Sequence, residues 1–527
     1  MKKKTLGLLA AMSAVTAAGA AYIIKNKIDE TGCDNDINFF TKEEPLKAPK
    51  MRTSVHKKYF CSDGNDKRRY DSLYTEDEDS YIDPRPYKDK AFHKKVNEDA
   101  SPNMILSEHY KKSLRMPDDN TCNNNVLFVG QPGNGKVGNF LIPNLLNMNA
   151  SFVVLDPIGE MLGECGLVLK EHGYKIKVLN IDDMEHSYCY NPLKYVKTEA
   201  DVKTIVDCLI KNTKGLGSKN DEFFIYAEKL FYSACIFYLI DHCNNEEKKN
   251  LLSLKNMINA STVDNDASNT KSELDKLFDE LPKESLAWKY YKAFKQIGGK
   301  TEEQIRTSCI YRVELFSALP VTNLIKKDEL ELEAISDEKT ALFVITPQYN
   351  AKYTFFSAIL YSQVVNTLKY SSENKKKNND DKKFRYPVRL MMNDFIGIGV
   401  IPDFLDELSN MNKYGVSATI VLQNIYQFEK KYGKNAVKNI EEWFWAVIYY
   451  GSISDNDLVY MPKELSKGIE SFNAINRFSD DWCFLFIKGE APVIDTKYKC
   501  QAHPMFGYLA NQTENQKRWF YPPKTRL

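Results

Sequence analysis

The stretch that most limits what this chain can fold into reads Asn125-Val-Leu-Phe-Val-Gly-Gln-Pro-Gly-Asn-Gly-Lys-Val-Gly138. A short apolar run, strand-like in length, stops at Gly130. A turn with glycines at 133 and 135 follows, then Lys136 and a second apolar run of helical pattern. Glycine lets a turn direct several backbone N–H groups at one point, and a lysine beside it adds a point charge. The interval from Gly130 to Gly135 and Lys136 is that of the phosphate-binding loop G-x-x-x-x-G-K-[ST]. Gly130, Gly133, Asn134, Gly135, Lys136 and Val137 are therefore the candidate nucleotide-binding residues, with ATP and Mg²⁺ as the expected cofactors. One position departs from the pattern: Val137 stands where Ser or Thr would offer a hydroxyl to Mg²⁺.

A strand feeding such a loop needs a sheet around it. Further apolar strands are expected at 152–155 and 175–179, with helices at 137–148 (interrupted by Pro143) and 161–172 between them. Strand, helix, strand, helix, strand joined by short turns predicts a mainly parallel sheet covered by helices, the α/β class. Ligands in such folds sit at the carboxyl ends of the strands. From 219 to 320 the pattern is helical, which predicts an inserted all-helical domain. Its aromatic residues Phe223, Phe224, Tyr226, Phe231, Tyr232, Phe237 and Tyr238 are expected in the core. Strands resume at 340–345, 388–395, 418–422 and 445–449, and 481–487 is expected to close the sheet. A helix is expected over 355–368, with the charged run 371–383 as an exposed loop. The nucleotide-binding domain is thus split into 101–218 and 321–510, followed by a polar tail, 511–527.

The first hundred residues read differently. Met1-Lys-Lys-Lys precedes an uncharged run from Thr5 to Ile24, long enough as a helix to cross a bilayer core. A cleaved signal peptide and an uncleaved anchor both fit it. A nucleotide site and free thiols belong in the cytosol, which favours residues 1–27 as an anchor in the cytoplasmic membrane. Residues 28–100, rich in Lys, Asp, Glu and Asn, read as a polar linker. The eleven cysteines form no C-x-x-C pair, and an odd count argues for reduced thiols rather than a disulfide framework. A net charge of +1 excludes any global basic excess, so contact with nucleic acid would need a local patch.

A nucleotide-hydrolysing loop also needs a second strand that ends in acid, one carboxylate for Mg²⁺ and a neighbour to polarise water. Asp156, after 152–155, is one candidate. Leu390-Met-Met-Asn-Asp394 is the better match by its hydrophobic run, although Asn393 occupies its first acidic position.

Together these segments resemble the TraG/TraD coupling proteins of type IV secretion. The resemblance rests on residues 125–136, Val153-Val-Leu-Asp-Pro-Ile-Gly-Glu160, 172–180, Tyr190-Asn-Pro192, 339–345, Leu360-Tyr-Ser-Gln363, 393–404 and Ile420-Val-Leu-Gln423, in order over roughly 100–510. It implies a membrane-anchored, RecA-like P-loop ATPase with a helical insert, assembled as a homo- or hetero-hexamer. Such a protein delivers a DNA–relaxase complex or a protein substrate to secretion-channel components. It also implies Asp394 as catalytic acid, Gln423 as sensor of the γ-phosphate and Arg312 as a finger toward a neighbouring subunit. The departures from the family share one ion. Val137 removes a hydroxyl ligand, Asn393 replaces a metal-facing carboxylate and Asp394 shortens the catalytic acid, while Ile158 replaces a lysine. The expected activity is recruitment of cargo with weak or lost hydrolysis. A fully active DNA motor and a non-catalytic scaffold paired with an active paralogue are the alternatives.

Overall fold

The computed structural model describes residues 103–114, 123–215, 222–262, 271–346, 351–377, 384–451, 481–490, 493–509 and Phe520. The expected anchor (1–27) and linker (28–100) lie outside the described residues, as does the expected tail except for Phe520.

A hairpin of β1 (Asn103–Ile105) and β2 (Lys111–Ser113) leads into β3 (Val126–Gly130), the strand before the glycine-rich turn. Then come helix α1 (Val137–Leu146), β4 (Ser151–Leu155), α2 (Glu160–Glu171) and β5 (Lys175–Asn180). From there to the next strand the described chain is helical. It comprises α3 (Glu199–Asn212), α4 (Glu222–Asp241), α5 (Leu251–Asn259), α6 (Glu273–Asp279), α7 (Leu286–Lys295), α8 (Gly299–Val313) and α9 (Leu319–Ile325), with short 3-10 turns. Strand β6 (Thr340–Ile345), helix α10 (Thr354–Lys377), β7 (Val388–Met392), α11 (Phe404–Leu408), β8 (Val416–Leu422), α12 (Ile425–Tyr432) and β9 (Ala446–Tyr450) return to the sheet. Strands β10 (Trp482–Ile487) and β11 (Val493–Thr496) complete it.

The nine-stranded sheet has the order β11-β10-β9-β3-β8-β7-β4-β6-β5. All pairs from β9 to β5 are parallel, and β10 and β11 add an antiparallel edge. Side chains alternate across it. Leu127 and Val129 join the core shared with the helical insert and α10, whereas Val126 and Phe128 face the core under α1 and α2. Asn125, buried just ahead of β3, fixes its register. Its Oδ1 accepts from the Ala418 amide of β8 at 2.9 Å, and its Nδ2 donates to the carbonyls of Leu408 and Trp443.

Several expectations need correction. The run expected as a loop from 371 is helical as far as Lys377, the last turns of α10. Strands β1, β2 and β11 and helix α3 have no counterpart in the sequence reading, and β11 rather than 481–487 forms the sheet edge. The helical block extends past 219–320 at both ends, since α3 packs on α4 at one end and α9 runs on to Ile325 at the other. Phe231, Tyr232 and Phe237 are buried as expected, but Phe223 and Tyr226 face outward. Pro143 does not interrupt its helix: α1 opens with a π-turn over Val137–Leu141, and the α register begins at Ile142 with Pro143 in its first turn, where an amide is dispensable. Phe520 is buried against Gly166 of α2, so the tail is not uniformly polar. None of the eight described cysteines forms a disulfide with another described cysteine, and seven are buried.

Arg312 is not presented to a neighbouring subunit. It is 6% exposed, and its Nη2 donates to Glu228 at 2.8 Å inside the insert. Its Nη1 donates to the carbonyls of Ile210 and Thr213 and to the Thr213 hydroxyl, which ties α8 to the end of α3. Removing one partner would strand a buried charge. Arg312→Met should therefore cost about 3–5 kcal/mol in urea unfolding, whereas an arginine free to serve as a finger would cost almost nothing.

Asp156 is likewise structural. Its carboxylate is buried at the start of α2 and accepts from the Leu162 amide at 2.8 Å. Burial, its largest influence, pushes the carboxyl up to about 6. A raised acid stabilises the fold fully below its unfolded pKa, and that contribution is lost as pH rises through the folded value. Asp156→Asn removes the titration. Relative to wild type the variant should gain about 3 kcal/mol between about pH 4 and about pH 7, read from denaturation midpoints at the two pH values. An unchanged difference would overturn the assignment.

Candidate functional site

The parallel order brings three strand ends to one edge. β3 carries the glycine-rich turn, β7 ends ahead of Asn393 and Asp394, and β8 lies between them with Gln423 just beyond its end. Neighbouring strands lie about 4.8 Å apart, so β3 and β7 are separated by about 10 Å, a gap that phosphate oxygens and a cation can span. Asp156 follows β4, the strand next to β7 on the same carboxyl edge, but its carboxylate accepts from the Leu162 amide of α2.

Within the turn, Gly133 and Gly135 have φ of 87° and 80°, a left-handed backbone that side chains resist. A Cβ at 135 would also come within 2.7 Å of the Asn139 amide nitrogen. Left-handed residues at alternate positions turn successive amides toward one point and make an anion cradle. Asn134 contributes by its backbone only, because its side chain points away. Its Nδ2 donates to the Tyr450 carbonyl at the end of β9 at 2.9 Å. Its own carbonyl accepts from Lys497 Nζ at 3.1 Å, and that ammonium lies 4.8 Å over the Tyr450 ring. The turn is thus fastened to β9 and to the residue that follows β11.

Lys136 begins α1 with its ammonium half-buried. Burial lowers its pKa, and the charge of Asp394 acts in the opposite direction. Val137 points down and packs against the core beneath the turn. Asp394 adopts a left-handed conformation (φ 56°), and its carbonyl accepts from the Gly397 amide at 2.8 Å. Gln423 Nε2 donates to Asp394 Oδ1 at 3.4 Å, a long contact. Asn393 is buried, and its Oδ1 has no partner among the described residues.

Sequence reasoning missed Lys431. It lies in the last turn of α12, where Lys430-Lys431 reads as a solvated pair, but its Nζ donates to the Ile396 carbonyl in the turn that carries Asp394. Burial lowers its pKa to about 8, opposed by Asp394, so it remains largely charged at neutral pH. Lys497 was missed for the same reason. Only the fold shows that either is enclosed. Of the residues singled out from sequence, the structure brings together Gly130, Gly133, Asn134, Gly135, Lys136, Val137, Asn393, Asp394 and Gln423. Arg312 is held in the insert by Glu228.

The cradle fits a nucleoside polyphosphate. The acid edge does not fit a protein-held Mg²⁺. Mg²⁺ beside a phosphate loop is ordinarily held by one or two side-chain oxygens together with phosphate oxygens and water. Position 137 is apolar, Asn393 offers one neutral oxygen, and the single carboxylate is flanked by two ammonium groups.

Among solved structures, the fold is similar to that of the plasmid coupling protein TrwB. The TrwB complex with ADP and Mg²⁺ matches with a TM-score of 0.56 and 14% identity, covering 80% of this chain and 93% of that chain. The TrwB complex with the non-hydrolysable ATP analogue ADPNP gives 0.54 and 15% over the same shares. No curated protein matches the sequence. Residues 87–471 match the family described as type IV secretory system conjugative DNA transfer. With that match spanning the cradle, the helical insert and the Asn393-Asp394 edge, the chain belongs to the type IV secretory system conjugative DNA transfer family.

Proposed function

We propose that this chain is a coupling protein that recruits a DNA–relaxase complex or a secreted protein to a type IV secretion channel, with weak or lost ATP hydrolysis of its own. The observation that carries this reading is an intact phosphate cradle facing a metal edge that has lost acid. Gly133, Gly135 and Lys136 would hold the phosphates. Asp394, oriented by Gln423, is the group placed to accept a proton from water. ATP, when bound, supplies the phosphoryl bond. The anchor is assigned to residues 1–27 in the cytoplasmic membrane, with the globular part in the cytosol and six copies, of one kind or mixed, forming a ring. The described helix of membrane-spanning length and apolarity, α4, is mostly buried as core of the insert and serves a different purpose.

The contact between Asp394 and Gln423 favours a second reading, an active motor in which phosphate oxygens and water hold the metal.

ATP turnover of the full-length protein with Mg²⁺, with and without single-stranded DNA, separates the two. Turnover at the level of a Lys136→Ala control is expected; DNA-stimulated turnover well above it would establish the motor. Restoring ligands by Val137→Thr with Asn393→Asp should raise Mg²⁺-dependent turnover by at least about ten-fold, the scale of a charge-stabilising group in a transition state. No rise would show that hydrolysis is limited elsewhere.

A further inference from the structure

Asp394 lies within electrostatic reach of two ammonium groups, Lys136 of the cradle and Lys431 of α12. The Lys431 ammonium is anchored on the Ile396 carbonyl, two residues beyond Asp394, inside the 3-10 turn Phe395–Ile398 that Asp394 opens. Gln423 donates to the same carboxylate. The cradle lysine belongs to every loop of this type, so the charge added to this edge is the Lys431 ammonium. Two ammonium groups face one carboxylate, beside a neutral Asn393 whose buried oxygen has no described partner. A dication entering this edge meets two like charges at close range, whereas a polyphosphate meets two opposite ones.

We infer that the site binds a nucleoside polyphosphate as its metal-free anion, with the Lys431 ammonium supplying the second positive charge that a protein-held Mg²⁺ would otherwise bring. This rests on the nucleotide-binding reading of the cradle and adds the form of the ligand. It also gives the Val137 and Asn393 replacements a shared physical sense. Once a fixed ammonium neutralises phosphate charge, a hydroxyl and a carboxylate aimed at a metal have no ion to hold. An ammonium brings one positive charge where a dication would bring two, so the exchange keeps binding and gives up part of the charge neutralisation that hydrolysis needs.

The test is the affinity of the full-length protein for the fluorescent nucleotide mant-ADP, measured by anisotropy in excess MgCl₂ and in excess EDTA. Wild type should bind in EDTA to within about three-fold of its affinity in Mg²⁺. Lys431→Met should weaken binding in EDTA by about ten-fold or more, the scale of one charge-assisted contact, and by less in Mg²⁺, where the ion replaces the lost charge. A lysine that merely braces the Ile396 turn would lower both affinities alike, and that result overturns the inference. Lys431→Arg keeps the charge and should retain binding in EDTA, which separates charge loss from misfolding. Loss of wild-type binding in EDTA alone overturns the inference but leaves the nucleotide site standing. Absence of binding in both conditions overturns the nucleotide reading itself.

Discussion

The nucleotide edge depends on the register between β3 and β8. Asn125 sets it by exchanging hydrogen bonds with Ala418, Leu408 and Trp443 in a fully enclosed position, just before the apolar run of β3 begins. Because side chains alternate along a strand, a slip of one residue would turn Leu127 and Val129 away from the insert-side core. The same slip would move the glycine-rich turn along the sheet relative to Gln423. Cradle, glutamine and acid share one edge because β8 lies between the other two strands in parallel pairing. Every chemical property of the site follows from that adjacency.

The cradle is also braced from outside the parallel sheet. The hold on Asn134 by the Tyr450 carbonyl and Lys497 uses β9 and the antiparallel edge, so the last described strands of the chain help to shape a turn formed near residue 130. The acid side is braced from α12 by Lys431 on Ile396. Phosphate-binding backbone is therefore retained and supported, while the positions that would face a metal carry valine and asparagine.

Much of the fold could be read from sequence because its parallel strands are buried on both faces and show as continuous apolar runs. Phe152-Val-Val-Leu155 and Ala341-Leu-Phe-Val-Ile345 are of this kind. Strands β1, β2 and β11 are three or four residues long, two of them carry lysine or aspartate, and their pairing depends on partners distant in sequence or on a local turn. The charged end of α10 looks like a loop because helix propagation along a long packed segment leaves no apolar signature. The cradle residues were legible from spacing alone. The roles of Lys431 and Lys497 were not, since nothing in a lysine's neighbours along the chain tells whether tertiary structure encloses it. Arg312 shows the converse, a residue that attracts a catalytic reading by resemblance while its buried partner Glu228 stays invisible until the insert folds.

The tie between the insert and the sheet has a mechanical meaning. Asn212, at the end of α3, grips the backbone of Val400 from both sides, accepting from its amide at 2.6 Å and donating to its carbonyl at 2.9 Å. Thr213, next in the chain, is held by Arg312. Val400 lies six residues beyond Asp394 on the same loop. The helical insert and the acid-bearing turn are thus joined by a rigid two-point clasp rather than by a tether. Moving the end of α3 away from the loop that carries Asp394 would require both of these hydrogen bonds to break together.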